Sequence, residues 1–201
     1  LSLESRDYLA VMLADGATAC EWGLTGARLA CEAAGQIIQR EGKSFFHYPE
    51  DKMAYLLTEQ ILYWLECHKG GEEDIHEYGS TFMLTFMEKK TGRTVFVNLG
   101  DGAVFSVTDR GFSCVIKPER YRGNPVLTTT EGAHRMMKVV VREVALGESV
   151  LLCSDGFLEL LNRENRLEVP DLSGLEKLEN ELRRMENKDD CSYIGFVRER
   201  K

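Results

Sequence analysis

The run Ser149-Val150-Leu151-Leu152-Cys153-Ser154-Asp155-Gly156-Phe157-Leu158-Glu159-Leu160-Leu161 constrains this chain more than any other stretch. Its unbroken apolar start reads as a strand buried on both faces. The strand stops at a carboxylate and a glycine. A short apolar helix pattern follows, with Glu159 one helical turn beyond Asp155. A carboxylate at a strand end sits on the rim of a sheet, where a hard cation can bind. The same grammar recurs at Leu9-Ala10-Val11-Met12-Leu13-Ala14-Asp15-Gly16 and, in related form, at Val95-Phe96-Val97-Asn98-Leu99-Gly100-Asp101-Gly102. Asp-Gly is also the favoured two-residue hairpin turn. Asp101-Gly102 lies between two alternating strands and reads as such a hairpin. Asp15-Gly16 and Asp155-Gly156 each follow a buried strand and precede a helix, which is not hairpin context. Asp189-Asp190 directly precedes a final apolar run.

The order of elements around these pairs sets the fold class. Tyr8 to Ala14 reads as a strand covered on both faces. Thr18 to Gly42 reads as a helix whose stripe is Leu24, Ala27, Ala30 or Cys31, Ala34, Ile37 and Ile38. Lys43 to Glu50 is a loop. Asp51 to His68 is a second helix with Met53, Leu57, Ile61, Trp64 and Leu65 facing the core. From Ser80 the period becomes two: Phe82, Leu84 and Phe86 point one way, Met83, Thr85 and Met87 the other. Strands at Thr94–Leu99, Ala103–Val107 and Phe112–Ile116 continue this as an antiparallel meander. Met136 to Val144 is a further strand. Leu172, Leu175, Leu178, Leu182 and Met185 mark an amphipathic helix, and Cys191 to Val197 a last strand. This order predicts an α+β fold, two antiparallel sheets packed face to face with helices outside, an α/β/β/α sandwich. No repeat or linker divides the chain, so residues 1–201 are expected to form one domain.

The totals exclude some partners. A net charge of −8 argues against a nucleic-acid backbone or an anionic membrane as the main partner. No apolar run approaches the ~18 residues that a membrane helix needs. The six cysteines form no C-x-x-C pair, and several sit in apolar runs. They read as reduced, mostly buried thiols of a cytoplasmic protein. Cys67, His68 and His76, beside Glu72, Glu73 and Asp74, fit no standard zinc spacing and read as a solvated acidic loop. There is no phosphate-cradling G-x-x-x-x-G-K-[ST] or G-x-G-x-x-G motif.

Magnesium and manganese take oxygen ligands and keep several waters. Carboxylates from separate strand ends, with a carbonyl freed by a glycine turn, supply such a shell. Five motifs now carry a family resemblance. Val11-Met12-Leu13-Ala14-Asp15-Gly16-Ala17, with the small-residue helix behind it, resembles the first Asp-Gly motif of the metal-dependent (2C-type, PPM) serine/threonine protein phosphatases. Gly79-Ser80-Thr81 is similar to that family's Gly-Ser-Thr. Asn98-Leu99-Gly100-Asp101-Gly102 resembles its Asn-x-Gly-Asp-Ser, and Leu152-Cys153-Ser154-Asp155-Gly156-Phe157 its Ser-Asp-Gly motif. Asp189-Asp190-Cys191-Ser192-Tyr193-Ile194 resembles its closing Asp-Asn-x-Thr-x-Val. The motifs stand in the family's order over nearly the whole chain. The Asp-Gly-Ala variant is similar to a bacterial branch.

The resemblance implies a phosphoric monoester hydrolase acting on phosphoserine or phosphothreonine in a phosphorylated protein. It implies two Mn2+ or Mg2+ ions on Asp15, the Gly16 carbonyl, Asp155 and Asp189. A third, weaker ion falls at Asp101 and Glu159. The nucleophile it implies is a metal-bridging water, so no side chain serves as one. The family also carries an acidic residue on a strand before the first Asp-Gly strand, and a phosphate-binding arginine further upstream. If Asp7 to Asp15 is one extended strand, the two ends are about 26 Å apart and cannot share a metal. The acid and the arginine are therefore upstream of Leu1, on a strand this chain lacks, or absent. That departure motivates a second expectation, a phosphatase-like module that has lost catalysis and serves in regulation or interaction.

Overall fold

The computed structural model describes residues 1–108, 111–163 and 191–199. Strands β1 (Ser2–Glu4), β2 (Tyr8–Leu13), β3 (Phe82–Glu88), β4 (Arg93–Leu99) and β9 (Lys138–Glu143) form one antiparallel sheet in the order β1-β2-β3-β4-β9. Strands β5 (Ala103–Thr108), β6 (Gly111–Ile116), β10 (Ser149–Cys153) and β11 (Tyr193–Val197) form a second, in the order β11-β10-β5-β6. A small hairpin, β7 (Arg120–Tyr121) with β8 (Asn124–Pro125), stands apart from both.

Side-chain alternation explains why the sheets stack. Phe82, Leu84 and Phe86 of β3, with Val95, Val97 and Leu99 of β4, pack under helices α1 (Gly23–Glu41) and α2 (Glu50–His68). Met83, Met87 and Phe96 face the other way and meet Val104, Val150 and Leu152 of the second sheet. Leu151 and Cys153, on the far face of β10, pack with Phe157 of helix α4 (Asp155–Arg163). Each central strand thus buries both faces, and the result is the expected α/β/β/α sandwich. The Phe46 and Phe86 rings stack at 4.6 Å between centroids and anchor the helical layer.

Three expectations are corrected. Asp101-Gly102 is not a hairpin: β4 and β5 belong to different sheets, and the chain crosses between layers there. Alternation could not reveal this, because a strand buried on both faces looks the same in either sheet. Leu24 does not belong to the buried stripe and is 85% exposed. At its first turns α1 packs backbone to backbone through glycine. A Cβ on Gly16 would stand 2.3 Å from the Gly23 carbonyl carbon, and one on Gly26 would collide with the Tyr78 carbonyl. The buried face is therefore Gly23, Gly26 and Ala27, and Leu24 points outward. The loop after α1 contains a 3-10 turn, Gly42–His47, that buries Phe45 and Phe46. Of the six free thiols only Cys31 and Cys153 are buried, whereas Cys67 and Cys114 are exposed. A short helix α3 (Ala133–Met136) precedes β9. The expected helix at Leu172–Met185 lies outside the described residues. No described helix is long and apolar enough to cross a membrane.

Candidate metal centre

Register places the carboxylates. In the second sheet Ala103 pairs with Cys153, and Cys153 also pairs with Tyr193. Asp101 lies two residues before Ala103 and Asp155 two residues after Cys153, so antiparallel pairing sends both carboxylates off the same end of the sheet. Gly102 permits this close approach, since a Cβ there would stand 2.6 Å from Met83 Cε and 2.8 Å from the Cys153 carbonyl oxygen. Ser192 also arrives at this end: its carbonyl accepts from the Ser154 N–H at 2.9 Å, and its N–H donates to Ser154 Oγ at 3.0 Å. Asp189, three residues earlier, lies outside the described residues.

The first sheet brings Asp15 to the same rim. Asp15 donates its N–H to Thr81 Oγ1 at 3.2 Å, and its carbonyl accepts the Thr81 N–H at 2.8 Å. The Ala17 N–H reaches the Gly79 carbonyl at 3.0 Å, which makes Gly16 and Ser80 facing partners. In such a wide pair the residue's own carbonyl points away from the partner strand. The Gly16 carbonyl is thereby kept out of the β3 ladder. Thr81 in turn packs at Gly100, where a Cβ would stand 2.6 Å from Thr81 Cγ2. The path Asp15–Thr81–Gly100–Asp101 therefore runs along one end of the sandwich. Gly100 turns with φ of +109°, a conformation open to glycine. Asn98 Nδ2 braces the crossing by donating to the Gly100 and Gly102 carbonyls at 3.3 and 3.1 Å.

Asp155 opens α4, where the helix dipole favours a negative charge. Its Oδ1 accepts the Gly156 N–H at 2.8 Å. Asp101, Asp155 and Glu159 line one cleft of about 490 Å³ together with Pro118, Arg120 and Leu158. Asp15 and Gly16 sit at the same end but do not line this cleft. Among the described residues no three His, Cys, Asp or Glu side chains converge closely enough to enclose a metal. Glu4 pairs with Leu9 in register and reaches Lys89 Nζ at 2.5 Å, well away from Asp15.

Arg120 was not legible in the sequence as part of a site. Its Nη2 stands 2.9 Å from Asp101 Oδ2 and 3.7 Å from Asp155 Oδ2. The donor set is hard and anionic, and its central gap already receives a cation from the chain. Asp101 and Asp155 thus have the chemistry of a divalent-ion site. Cys153, the nearest thiol in sequence, is no nucleophile: burial pushes it up to about 12, so it stays protonated at neutral pH.

The sequence profile of protein phosphatase 2C matches residues 2–189. No curated protein matches the sequence. Among solved structures, the Mycobacterium tuberculosis serine/threonine phosphatase PstP/Ppp superposes with a TM-score of 0.69 at 15% identity, over 98% of this chain and 91% of that one. The PstP catalytic domain in complex with two manganese ions gives 0.62 at 18% identity, over 97% and 88%. Pseudomonas aeruginosa PppA, a key regulatory component of T6SS, gives 0.66 at 15% identity, over 97% and 88%. At such identities these likenesses establish the shared fold.

Proposed function

Because the chain belongs to the protein phosphatase 2C family, we propose that it is a metal-dependent phosphatase of phosphoserine and phosphothreonine in proteins. The observation that carries this reading is the arrival of Asp101, Asp155 and Glu159 at one cleft. It opens at the sandwich end that also holds Asp15. Asp15, the Gly16 carbonyl, Asp155 and Asp189 would hold two Mn2+ or Mg2+ ions, and Asp101 with Glu159 a third. Such ions supply Lewis-acid polarisation of a phosphoryl group and a nucleophilic water at neutral pH.

The chain's own residues orient this site. The Thr81 and Gly79 hydrogen bonds fix Asp15 and Gly16. The Gly156 N–H fixes Asp155. The Asn98 amide fixes the turn that carries Asp101. A phosphorylated protein segment would be the substrate at this rim.

One observation favours a second reading, a regulatory module without catalysis: a guanidinium stands between two of the carboxylates. Manganese-dependent hydrolysis of a phosphothreonine peptide decides between them. The intact chain should release phosphate. Asp155→Asn should lose at least about 100-fold in rate while keeping its circular dichroism spectrum. Full activity in that variant would sink the site assignment, and no activity in either protein would favour the module.

A further inference from the structure

Asp101 is a buried anion whose side chain is 7% exposed, and its side-chain partner among the described residues is Arg120. A buried carboxylate without a counter-charge is costly. The arginine that neutralises it comes from outside both sheets. It stands at the foot of the β7–β8 hairpin, which has two paired positions and turns at Arg122 and Gly123 with φ of +53° and +86°. That foot is tied down. The Glu119 N–H donates to the Gly100 carbonyl at 2.9 Å, in the turn that carries Asp101, and Glu119 pairs with Lys138 at 3.2 Å. The Arg120 arm itself is 53% exposed. It is anchored at the base and solvated along its length, so it can leave the carboxylates without unfolding anything.

One nitrogen faces both Asp101 Oδ2 and Asp155 Oδ2. A divalent ion on either oxygen would meet that nitrogen as a like charge across a shared ligand atom. We propose that Arg120 is a tethered counter-cation: it covers the Asp101–Asp155 pair in the metal-free protein and must be displaced when a divalent ion binds there. The hairpin then sets how tightly this position takes metal. The inference takes the nature of the ion from the phosphatase reading, but its test does not depend on turnover.

The test is manganese titration by calorimetry of the full chain, Arg120→Gln and Arg120→Lys at low salt. Removing the competing charge should tighten manganese binding about tenfold in Arg120→Gln, with Arg120→Lys close to the parent. In EDTA, Arg120→Gln should melt roughly 2–4 °C below the parent, and manganese should restore it. Equal or weaker manganese binding in Arg120→Gln overturns the proposal. So does an absence of binding in both proteins, because freeing the pair should expose it to the ion. If Arg120→Gln equals the parent while Asp155→Asn loses binding, the counter-cation fails and the metal reading stands. If Arg120→Gln binds more tightly but no protein hydrolyses phosphopeptide, the counter-cation stands and the phosphatase reading fails.

Discussion

Strand β10 has a buried acid–arginine pair at each end, and the two pairs are built differently. Before the strand, Glu148 accepts from Ser106 Oγ at 2.5 Å, Arg142 Nη2 at 2.7 Å and the Ala145 N–H at 2.7 Å. Arg142 is itself held, with its guanidinium over the Phe96 ring at 5.0 Å and Nη1 on the Glu143 carbonyl at 2.8 Å. Burial alone would raise the Glu148 carboxyl. Hydrogen bonds from Arg142, Ser106 and Ala145 outweigh it and hold the group below its ordinary value. After the strand, Asp101 is as buried as Glu148 but meets a single, half-exposed guanidinium on a two-pair hairpin. Several fixed donors make a carboxylate part of the scaffold. One removable donor leaves it available to another cation.

Isosteric substitution at the two ends should separate them. Glu148→Gln should lose about 2–3 kcal/mol of unfolding free energy at pH 7, measured by urea denaturation, because charge-assisted hydrogen bonds are lost inside the protein. The sign with pH follows from the lowered folded value. The stabilisation is full above the unfolded carboxyl range near ~4.3 and is lost as pH falls through the folded value. The gap between parent and Glu148→Gln should therefore close in acid; a gap that stayed constant to pH 3 would break the comparison. Asp101→Asn should cost less than about 1 kcal/mol, since its partner is largely solvated. A loss as large as that of Glu148→Gln would make Asp101 a scaffold residue too.

Much of this architecture was legible because β3, β4 and β10 bury both faces and so read as near-continuous apolar runs. The context of two Asp-Gly pairs was legible as well: Asp15 follows strand β2 ahead of α1, and Asp155 follows strand β10 and opens α4. The failures have physical causes. Nothing local tells a hairpin from a crossing between stacked sheets, so Asp101-Gly102 reads as a hairpin in the sequence and is a crossing in the fold. Helical spacing placed Leu24 in the core, but a glycine contact between Gly16 and Gly23 set the face that is buried. Strand β1 is three residues long, too short for a period. Arg120 carries no sequence signal, since a basic residue in a short loop becomes part of a site only through the fold. Asp189 is placed by its motif alone.

The central claim is a metal centre at the Asp155 end of β10. The most direct measurement is a manganese titration by calorimetry of the intact chain beside Asp155→Asn. The account predicts saturable binding by the first and at least about tenfold weaker binding by the second. Equal binding by both proteins would contradict it.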